Sequence, residues 1–229
     1  MLVEVLTDPG SSAPPLSPGE PRPAERVFAL AGPESAVLTA AGSAYRADGT
    51  GCGHGTGWFL RRLAAHLLTR IVDRPERPLR DCLADAVAET AALHGGRCDL
   101  ARHGAPTASV TAVRIADGRL DHLVLGTGAV LLRRGPASHA ATDPAGETHA
   151  AGARPAAAAA DAVCGSTPLP DVRTVALLDV GAGPRPEPPM ALKILEQAGL
   201  PGLLAHVRVD EAHRSVPYKP FGAVLLRPR

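Results

Sequence analysis

The sequence contains little lysine, few aromatic residues and no long apolar run. Only Lys193 and Lys219 are lysines, and aromatic residues make up 3% of the 229 residues. The formal net charge is +1, so no overall charge favours nucleic acid or an acidic membrane surface as a partner. No stretch of about 20 apolar residues is present, which argues against a membrane-spanning helix. The excess of arginine over lysine, with the alanine, glycine and proline content, indicates a GC-rich bacterial gene.

The amino-terminal stretch lacks the features of an export signal. MLVEVLTDPG has neither a basic start nor a sufficiently long apolar segment. The chain has four cysteines, and without an export signal we expect reduced thiols in a cytoplasmic protein. We expect a single domain over residues 1–229, with a proline-rich connector at 8–24 and an alanine- and proline-rich connector at 134–170.

A glycine-rich stretch followed by an amphipathic helix organises the chain. Five glycines lie between Gly49 and Gly57, and apolar residues then recur at helical spacing as far as Ile71. The stretch lacks the Lys-Ser/Thr pair of a phosphate-binding loop and does not fit G-x-G-x-x-G. We therefore interpret the glycines as a requirement of backbone geometry. The only tryptophan, Trp58, is expected in the core.

The periodicity of the apolar residues predicts an α+β domain. Helices at 57–72 and 78–94 follow one another after a short link, which is typical of an antiparallel pair. A period of two then predicts three antiparallel strands within 109–133, with a hairpin turn at Asp117-Gly118. Further strands are predicted at 2–6, 26–31, 36–40, 172–179 and 221–227, and short helices at 190–198 and 201–209. This order of elements indicates a layered α+β fold.

Several segments resemble a divergent bacterial branch of the metal-dependent protein phosphatase 2C family. They follow the family's order over most of the chain and read ERVFALAGPESAVLTAAG, TGCGHGTGWFLRRLAAHLL, ALHGGRCDLARHGAPTASVTAVR, LDHLVLGTGAVLLRR, VRTVALLDVGAG and FGAVLLRPR. The resemblance implies a β-sandwich flanked by antiparallel helix pairs. It also implies a site where two divalent ions, held by aspartates and water, produce a hydroxide and neutralise phosphate charge.

The aspartates that this resemblance requires are mostly missing. The positions concerned, in chain order, are Glu25, Thr39, Ala40, Thr127, Asp179, Val180, Pro220 and Phe221. Only Glu25 keeps a carboxylate in register, because Asp179 is displaced by one residue and such a shift turns a strand side chain to the opposite face. We therefore predict a catalytically inactive pseudophosphatase that binds no Mg²⁺ or Mn²⁺ tightly and needs no cofactor.

The segments that resemble the family are kept while the metal-binding aspartates are mostly replaced. This combination favours a regulatory protein that binds another molecule. The expected partner is a protein or peptide, such as an enzyme of the same pathway, with self-association left open and neither nucleic acid nor membrane expected. Val180 and Phe221 are the expected apolar contact residues. One alternative is a Mg²⁺- or Mn²⁺-dependent phosphoprotein phosphatase with a rearranged site that uses Glu25, Asp48, Asp143 or Asp179.

Cysteine and histidine residues flank the predicted helix pair on both sides. Cys52 and His54 precede the pair, and His94 and Cys98 follow it. The spacings C-x-H and H-x-x-x-C are ligand pairs that zinc accepts. These residues have four alternative roles: ordinary loop and helix-end residues, a zinc site, a Cys52–Cys98 disulfide, which a reducing compartment disfavours, or the Cys–His pair of a different enzyme.

Overall fold

Ten strands and four helices lie in the part of the chain that the computed structural model describes, residues 2–8, 10, 26–42, 54–95, 98, 107–145, 155–179 and 186–228. The strands are β1 (Leu2–Asp8), β2 (Val27–Ala31), β3 (Ser35–Ala41), β4 (Ala108–Ala116), β5 (Arg119–Leu125), β6 (Ala129–Arg134), β7 (Ala137–Thr142), β8 (Val163–Pro168), β9 (Val172–Asp179) and β10 (Phe221–Arg227). The helices are α1 (Thr56–Asp73), α2 (Leu79–Ala92), α3 (Pro155–Asp161) and α4 (Pro188–His213). None of these helices combines the length and apolar character needed to cross a membrane.

Two antiparallel sheets of five strands pack face to face. The first has the strand order β1-β10-β9-β6-β7 and the second the order β2-β3-β4-β5-β8. Buried aliphatic side chains from both sheets meet between them, among them Leu38 and Val113 of the second sheet and Leu177 and Val224 of the first. The alternation of inward side chains along each strand builds this common core.

Helices cover the outer faces of both sheets. α1 and α2 pack on the second sheet in a cluster that includes Phe59, Leu67 and Val110. α4 packs on the first sheet in a cluster that includes Leu192 and Phe221. The resulting order of layers is helix, sheet, sheet, helix, which confirms the predicted α+β sandwich flanked by helices.

The helices α1 and α2 run antiparallel. Residues 74–78 join them, and the Cys82 thiol near the start of α2 lies 3.8 Å from the Arg70 carbonyl oxygen near the end of α1. At the other end of the pair, His54 before α1 lies beside His94 after α2. The predicted helix pair is therefore confirmed, and the residues that flank it come together.

The break within α4 was also predicted. Gly199 has φ 64° and ψ −164°, which is not helical, and Pro201 follows it. Glycine adopts a positive φ without steric cost, whereas proline cannot donate the backbone hydrogen bond that would continue the first helix. The break agrees with the two short helices predicted at 190–198 and 201–209.

The stretch 134–170 contains two strands that its composition did not indicate. We predicted an alanine- and proline-rich connector there, and this was wrong because the strands β7 and β8 lie within it. Both strands form sheet edges, and most of their residues are not buried, so small and polar residues are sufficient. The connector predicted at 8–24 lies almost entirely outside the described residues, and the assignment of 1–229 to one domain stays a prediction.

Candidate functional site

The described positions where the resemblance places metal ligands include residues at one end of the sandwich. Ala40 of β3 pairs with Ser109 of β4 in the second sheet, and Asp179 of β9 pairs with Gly222 of β10 in the first. The Ser109 and Thr127 hydroxyls both donate to the same carboxylate oxygen of Asp179, the second at 3.2 Å. The Asp179 carboxylate therefore connects the ends of the two sheets.

Among the described positions where the resemblance places metal ligands, only Asp179 carries a carboxylate. Its residue is 3% exposed, and two hydroxyl donors occupy one of its oxygens. A dinuclear Mg²⁺ or Mn²⁺ centre requires several carboxylates that converge on an accessible space. Asp179 is instead bound within the protein, and its partner Ser109 was missed by the sequence analysis because a single serine in an apolar strand carries no distinct signal.

Thr39 and Ala40 are buried residues of the core. The Thr39 hydroxyl donates toward the carbonyl oxygens of Phe28 and Leu60, each at 3.3 Å. Ala40 has only a methyl group, which lies in the core between the sheets. The Thr39 hydroxyl thus connects β3 to β2 and α1, and neither residue supplies an oxygen for a hard cation.

Asp143 is a second buried carboxylate that contacts the turn containing Thr127. Its two oxygens accept backbone N–H groups, from Gly126 at 2.9 Å and from Ala145 at 2.9 Å. Such contacts stabilise turns, and they give the Asp143 carboxylate a structural role. Glu25, Asp48 and Val180 lie outside the described residues. The described residues at this end of the sandwich therefore do not fit a dinuclear Mg²⁺ or Mn²⁺ centre.

Phe221 is not available to a partner. We predicted an exposed contact residue, and this was wrong because Phe221 is 0% exposed and packs in the cluster beneath α4. β10 lies between β1 and β9, with Val224 facing the other sheet and Phe221 facing α4. Because both faces of β10 are covered, its residues are apolar on both faces, and the sequence alone does not show which neighbour each side chain contacts. Pro220 beside it is half-buried.

Comparison with solved structures identifies the fold. The Ser-Thr phosphatase MsPP from Mycobacterium smegmatis, solved with cacodylate, matches with a TM-score of 0.64 at 13% identity over 100% of this chain and 99% of that chain. A serine-threonine phosphatase 2C from Toxoplasma gondii matches with a TM-score of 0.59 at 11% identity over 97% and 93% of the two chains. The fold is that of protein phosphatase 2C.

A third phosphatase 2C-like structure shows what the fold can hold in another protein. The catalytic domain of the phosphatase PstP, solved with two manganese ions, matches with a TM-score of 0.62 at 12% identity over 98% of this chain and 96% of that chain. Searches with family models and with curated protein sequences give no match to this chain. The structural similarity establishes the phosphatase 2C-like fold. Because the sequence identities are this low, the activity must be argued from the site.

A separate group of side chains lies where the start of α1 meets the end of α2. His54, His94 and Cys98 each offer one metal-ligand atom, and these atoms lie within 4.8 Å of one another. The Cys98 Sγ is 3.4 Å from the His54 Nδ1. The structure thus brings together three of the four residues in the predicted zinc alternative, while Cys52 lies outside the described residues.

Aromatic contacts surround this group. The ring of Trp58 stacks on that of His54 with 4.3 Å between centroids, and it meets the His94 ring edge-on at 5.0 Å. Trp58 is half-buried and also packs against the core cluster beneath α1. The core position predicted for Trp58 is therefore correct in part, because one side of its ring contacts His54, which is exposed.

Proposed function

We propose that this protein is a pseudophosphatase that keeps the phosphatase 2C fold and acts by binding another protein or a peptide. The observation that supports this proposal is the state of Asp179. Its carboxylate is buried and accepts hydrogen bonds from Ser109 and Thr127. A residue held in this way serves the packing of the two sheets rather than a metal ion.

The chemistry of phosphate hydrolysis explains why this loss matters. Two divalent ions would lower the pKa of a bound water, orient the phosphate and neutralise its negative charge. At the corresponding end of this sandwich the described carboxylates include those of Asp179 and Asp143, and the Thr127 hydroxyl already donates to Asp179. Without cations, these negative carboxylates would repel a phosphate group.

The contact surface for a partner must use other residues than the buried Phe221. Tyr218 is 41% exposed and half-buried Pro220 follows it, both in the segment that leads into β10. The Arg208 guanidinium lies 5.2 Å from the centre of the Tyr218 ring. A tyrosine that is already held by such a contact loses little side-chain entropy on binding, and tyrosine is enriched at interface positions that dominate affinity.

The cysteines support a cytoplasmic location as part of this proposal. Among the described residues Cys82, Cys98 and Cys164 are free thiols. Free thiols are the common state of cysteine in a reducing compartment.

An activity assay tests the catalytic part of the proposal. Purified protein would be incubated with an aryl phosphate and a phosphoserine peptide in the presence of Mn²⁺, Mg²⁺ or a chelator, with MsPP as the positive control. We expect no metal-dependent hydrolysis above buffer, in wild type or in Asp179→Ala. Metal-dependent hydrolysis that is lost in Asp179→Ala would establish the phosphatase alternative. Activity that ignores chelator and is lost in Cys98→Ala would establish the Cys–His alternative.

A co-purification experiment tests the binding part. Tagged protein would be isolated from cells of its own source together with bound proteins, and the result compared between wild type, Tyr218→Ala and Met190→Ala. Met190 is 49% exposed on α4 and serves as the matched control. We expect a stoichiometric partner with wild type and control that is lost with Tyr218→Ala. Retention of the partner by Tyr218→Ala would show that the contact surface lies elsewhere.

A further inference from the structure

We propose that His54, His94 and Cys98 bind a zinc ion where the start of α1 meets the end of α2. The group is distinct from the end-of-sandwich positions around Asp179, and its chemistry differs from that of a phosphatase centre. The proposal does not depend on whether the protein hydrolyses phosphate.

The state of His94 points to a bound ion. This residue is 2% exposed, and its Nδ1 lies 3.0 Å from the carbonyl oxygen of Thr90, one helical turn earlier. A carbonyl oxygen only accepts, so the Nδ1 carries the hydrogen and the lone pair is on Nε2. The Nε2 is buried, with no hydrogen-bond partner among the described residues. A buried acceptor without a partner is costly, and zinc-binding histidines usually donate their other N–H to a carbonyl or carboxylate in this way.

The distances suit a tetrahedral ion. Zn–N bonds of about 2.0–2.1 Å and Zn–S bonds of about 2.3 Å place tetrahedral ligand atoms roughly 3.3–3.6 Å apart. The separation of 3.4 Å between Cys98 Sγ and His54 Nδ1 falls in this range. All three ligand atoms lie within 4.8 Å of one another. A movement of the side chains by about 1 Å would therefore bring every pair to the distance of a tetrahedral site. His54 is exposed and Cys98 half-buried, so these two side chains can close on the fixed ring of His94.

The ligand types select the metal. Two imidazoles and a thiolate suit Zn²⁺, whereas Mg²⁺ and Mn²⁺ prefer oxygen ligands. Three protein ligands leave the fourth tetrahedral position for water or an external group. The Cys98 thiol is free, so it is available to coordinate as a thiolate.

The position of the group indicates what the ion would do. His54 and Cys98 are separated by 44 residues, and the helices α1 and α2 lie between them in the chain. A zinc ion that joins them would close the helix pair at the end where α1 begins and α2 ends. Because the unfolded chain does not hold these residues together, zinc binding would stabilise the folded state.

Trp58 provides a specific readout for the test. It is the only tryptophan of the chain, and its ring stacks on His54 at 4.3 Å. Chelator-treated, reduced protein would be titrated with Zn²⁺ while Trp58 fluorescence and the melting temperature are followed. A parallel titration with Co²⁺ would detect the thiolate-to-metal charge-transfer band. We expect one ion per chain, a change in Trp58 fluorescence and a rise in melting temperature.

Variants distinguish this site from unspecific metal binding. Cys98→Ser and His94→Ala should each weaken zinc binding by more than about 100-fold, because loss of a neighbour that merely orients a ligand already costs 10–100-fold. Cys98 is half-buried, so Cys98→Ser gives a folded variant even where the buried His94 does not tolerate replacement. The matched controls Cys164→Ser and His139→Ala change exposed residues and should bind zinc as wild type does.

Three results would overturn the proposal. The first is the absence of zinc binding by the reduced protein. The second is binding that Cys98→Ser retains at full affinity. The third is purified protein in which Cys98 forms a disulfide with Cys52 and resists thiol labelling until a reductant is added.

Discussion

Replacement of Asp179 by alanine distinguishes a structural carboxylate from a metal ligand. Asp179 is 3% exposed, and its carboxylate accepts hydrogen bonds from Ser109 of the opposite sheet and from Thr127. Hydrogen bonds to a charged group contribute about 1.5–3 kcal/mol each. Their loss leaves two hydroxyl groups to find new partners, so we expect Asp179→Ala to lower the free energy of unfolding by about 2–4 kcal/mol.

A phosphatase-type metal site predicts the opposite sign for the same substitution. Carboxylates that gather around absent cations repel one another, so removal of one in the presence of chelator leaves stability unchanged or raises it. The assay is urea denaturation followed by circular dichroism, in EDTA and again in Mn²⁺. Asp171 is exposed and forms an ion pair with Arg134 at 3.4 Å, so Asp171→Ala is the matched control and should change stability by less than about 0.5 kcal/mol.

A double-mutant cycle tests whether Asp179→Ala lowers stability through the contact between Asp179 and Ser109. If Ser109 acts through Asp179, the combined Asp179→Ala and Ser109→Ala protein should be more stable than the sum of the single effects by about 0.5–3 kcal/mol. Equal or greater stability of Asp179→Ala in EDTA, together with stabilisation of wild type by Mn²⁺, would refute the structural role.

Three further substitutions test the packing and its pH dependence. Leu67→Ala should cost about 2–5 kcal/mol, because Leu67 lies on the buried face of α1 and is fully buried. A loss below about 0.5 kcal/mol in urea melts would contradict this. Gly222→Ala should lower the free energy of unfolding by about 1–3 kcal/mol, because a Cβ at residue 222 would lie 2.3 Å from Val27 Cγ1 and 2.9 Å from Leu38 Cδ1. An unchanged urea midpoint would refute this close packing of Gly222 against the opposite sheet. Burial lowers the pKa of His122 below 6.5, although Asp121 opposes the shift. At acidic pH the imidazole of His122 therefore takes up a proton more readily in the unfolded chain than in the folded protein. The contribution of neutral His122 to the free energy of unfolding is complete above pH 6.5 and is lost as the pH falls below that value. His122→Gln should flatten this decline in urea melts between neutral and acidic pH, and an unchanged slope would contradict the assignment.

The layer order could be predicted because its signals are local. Leu60, Leu63, Leu67 and Ile71 recur at helical spacing, and all are at most 1% exposed. The edge strands β7 and β8 could not be predicted in the same way. An edge strand buries few side chains, so its small and polar residues show no apolar alternation, and the alanine-rich composition concealed both strands.

The candidate site could be predicted only in part, because its main contacts join distant residues. The missing acids are visible in the sequence, but the hydrogen bond between Ser109 and Asp179 joins residues 70 positions apart and has no local signal. Phe221 was assigned to the wrong surface because β10 is covered on both faces. The meeting of His54 and His94 could be predicted, since an antiparallel helix pair brings its flanking residues together.

Calorimetric titration with Mn²⁺ distinguishes a pseudophosphatase from an active phosphatase, because a phosphatase 2C mechanism depends on bound divalent ions. The titration would use the wild-type protein and the variants Asp179→Ala and Glu25→Ala. Each protein would also be titrated with the additional substitution Cys98→Ser, which removes any contribution from the proposed zinc site. The catalytic domain of PstP, which was solved with two manganese ions, would serve as the control for the method. We expect no saturable Mn²⁺ binding at micromolar concentration in any variant. Micromolar binding of two ions by wild type, lost in Glu25→Ala or Asp179→Ala, would contradict this expectation.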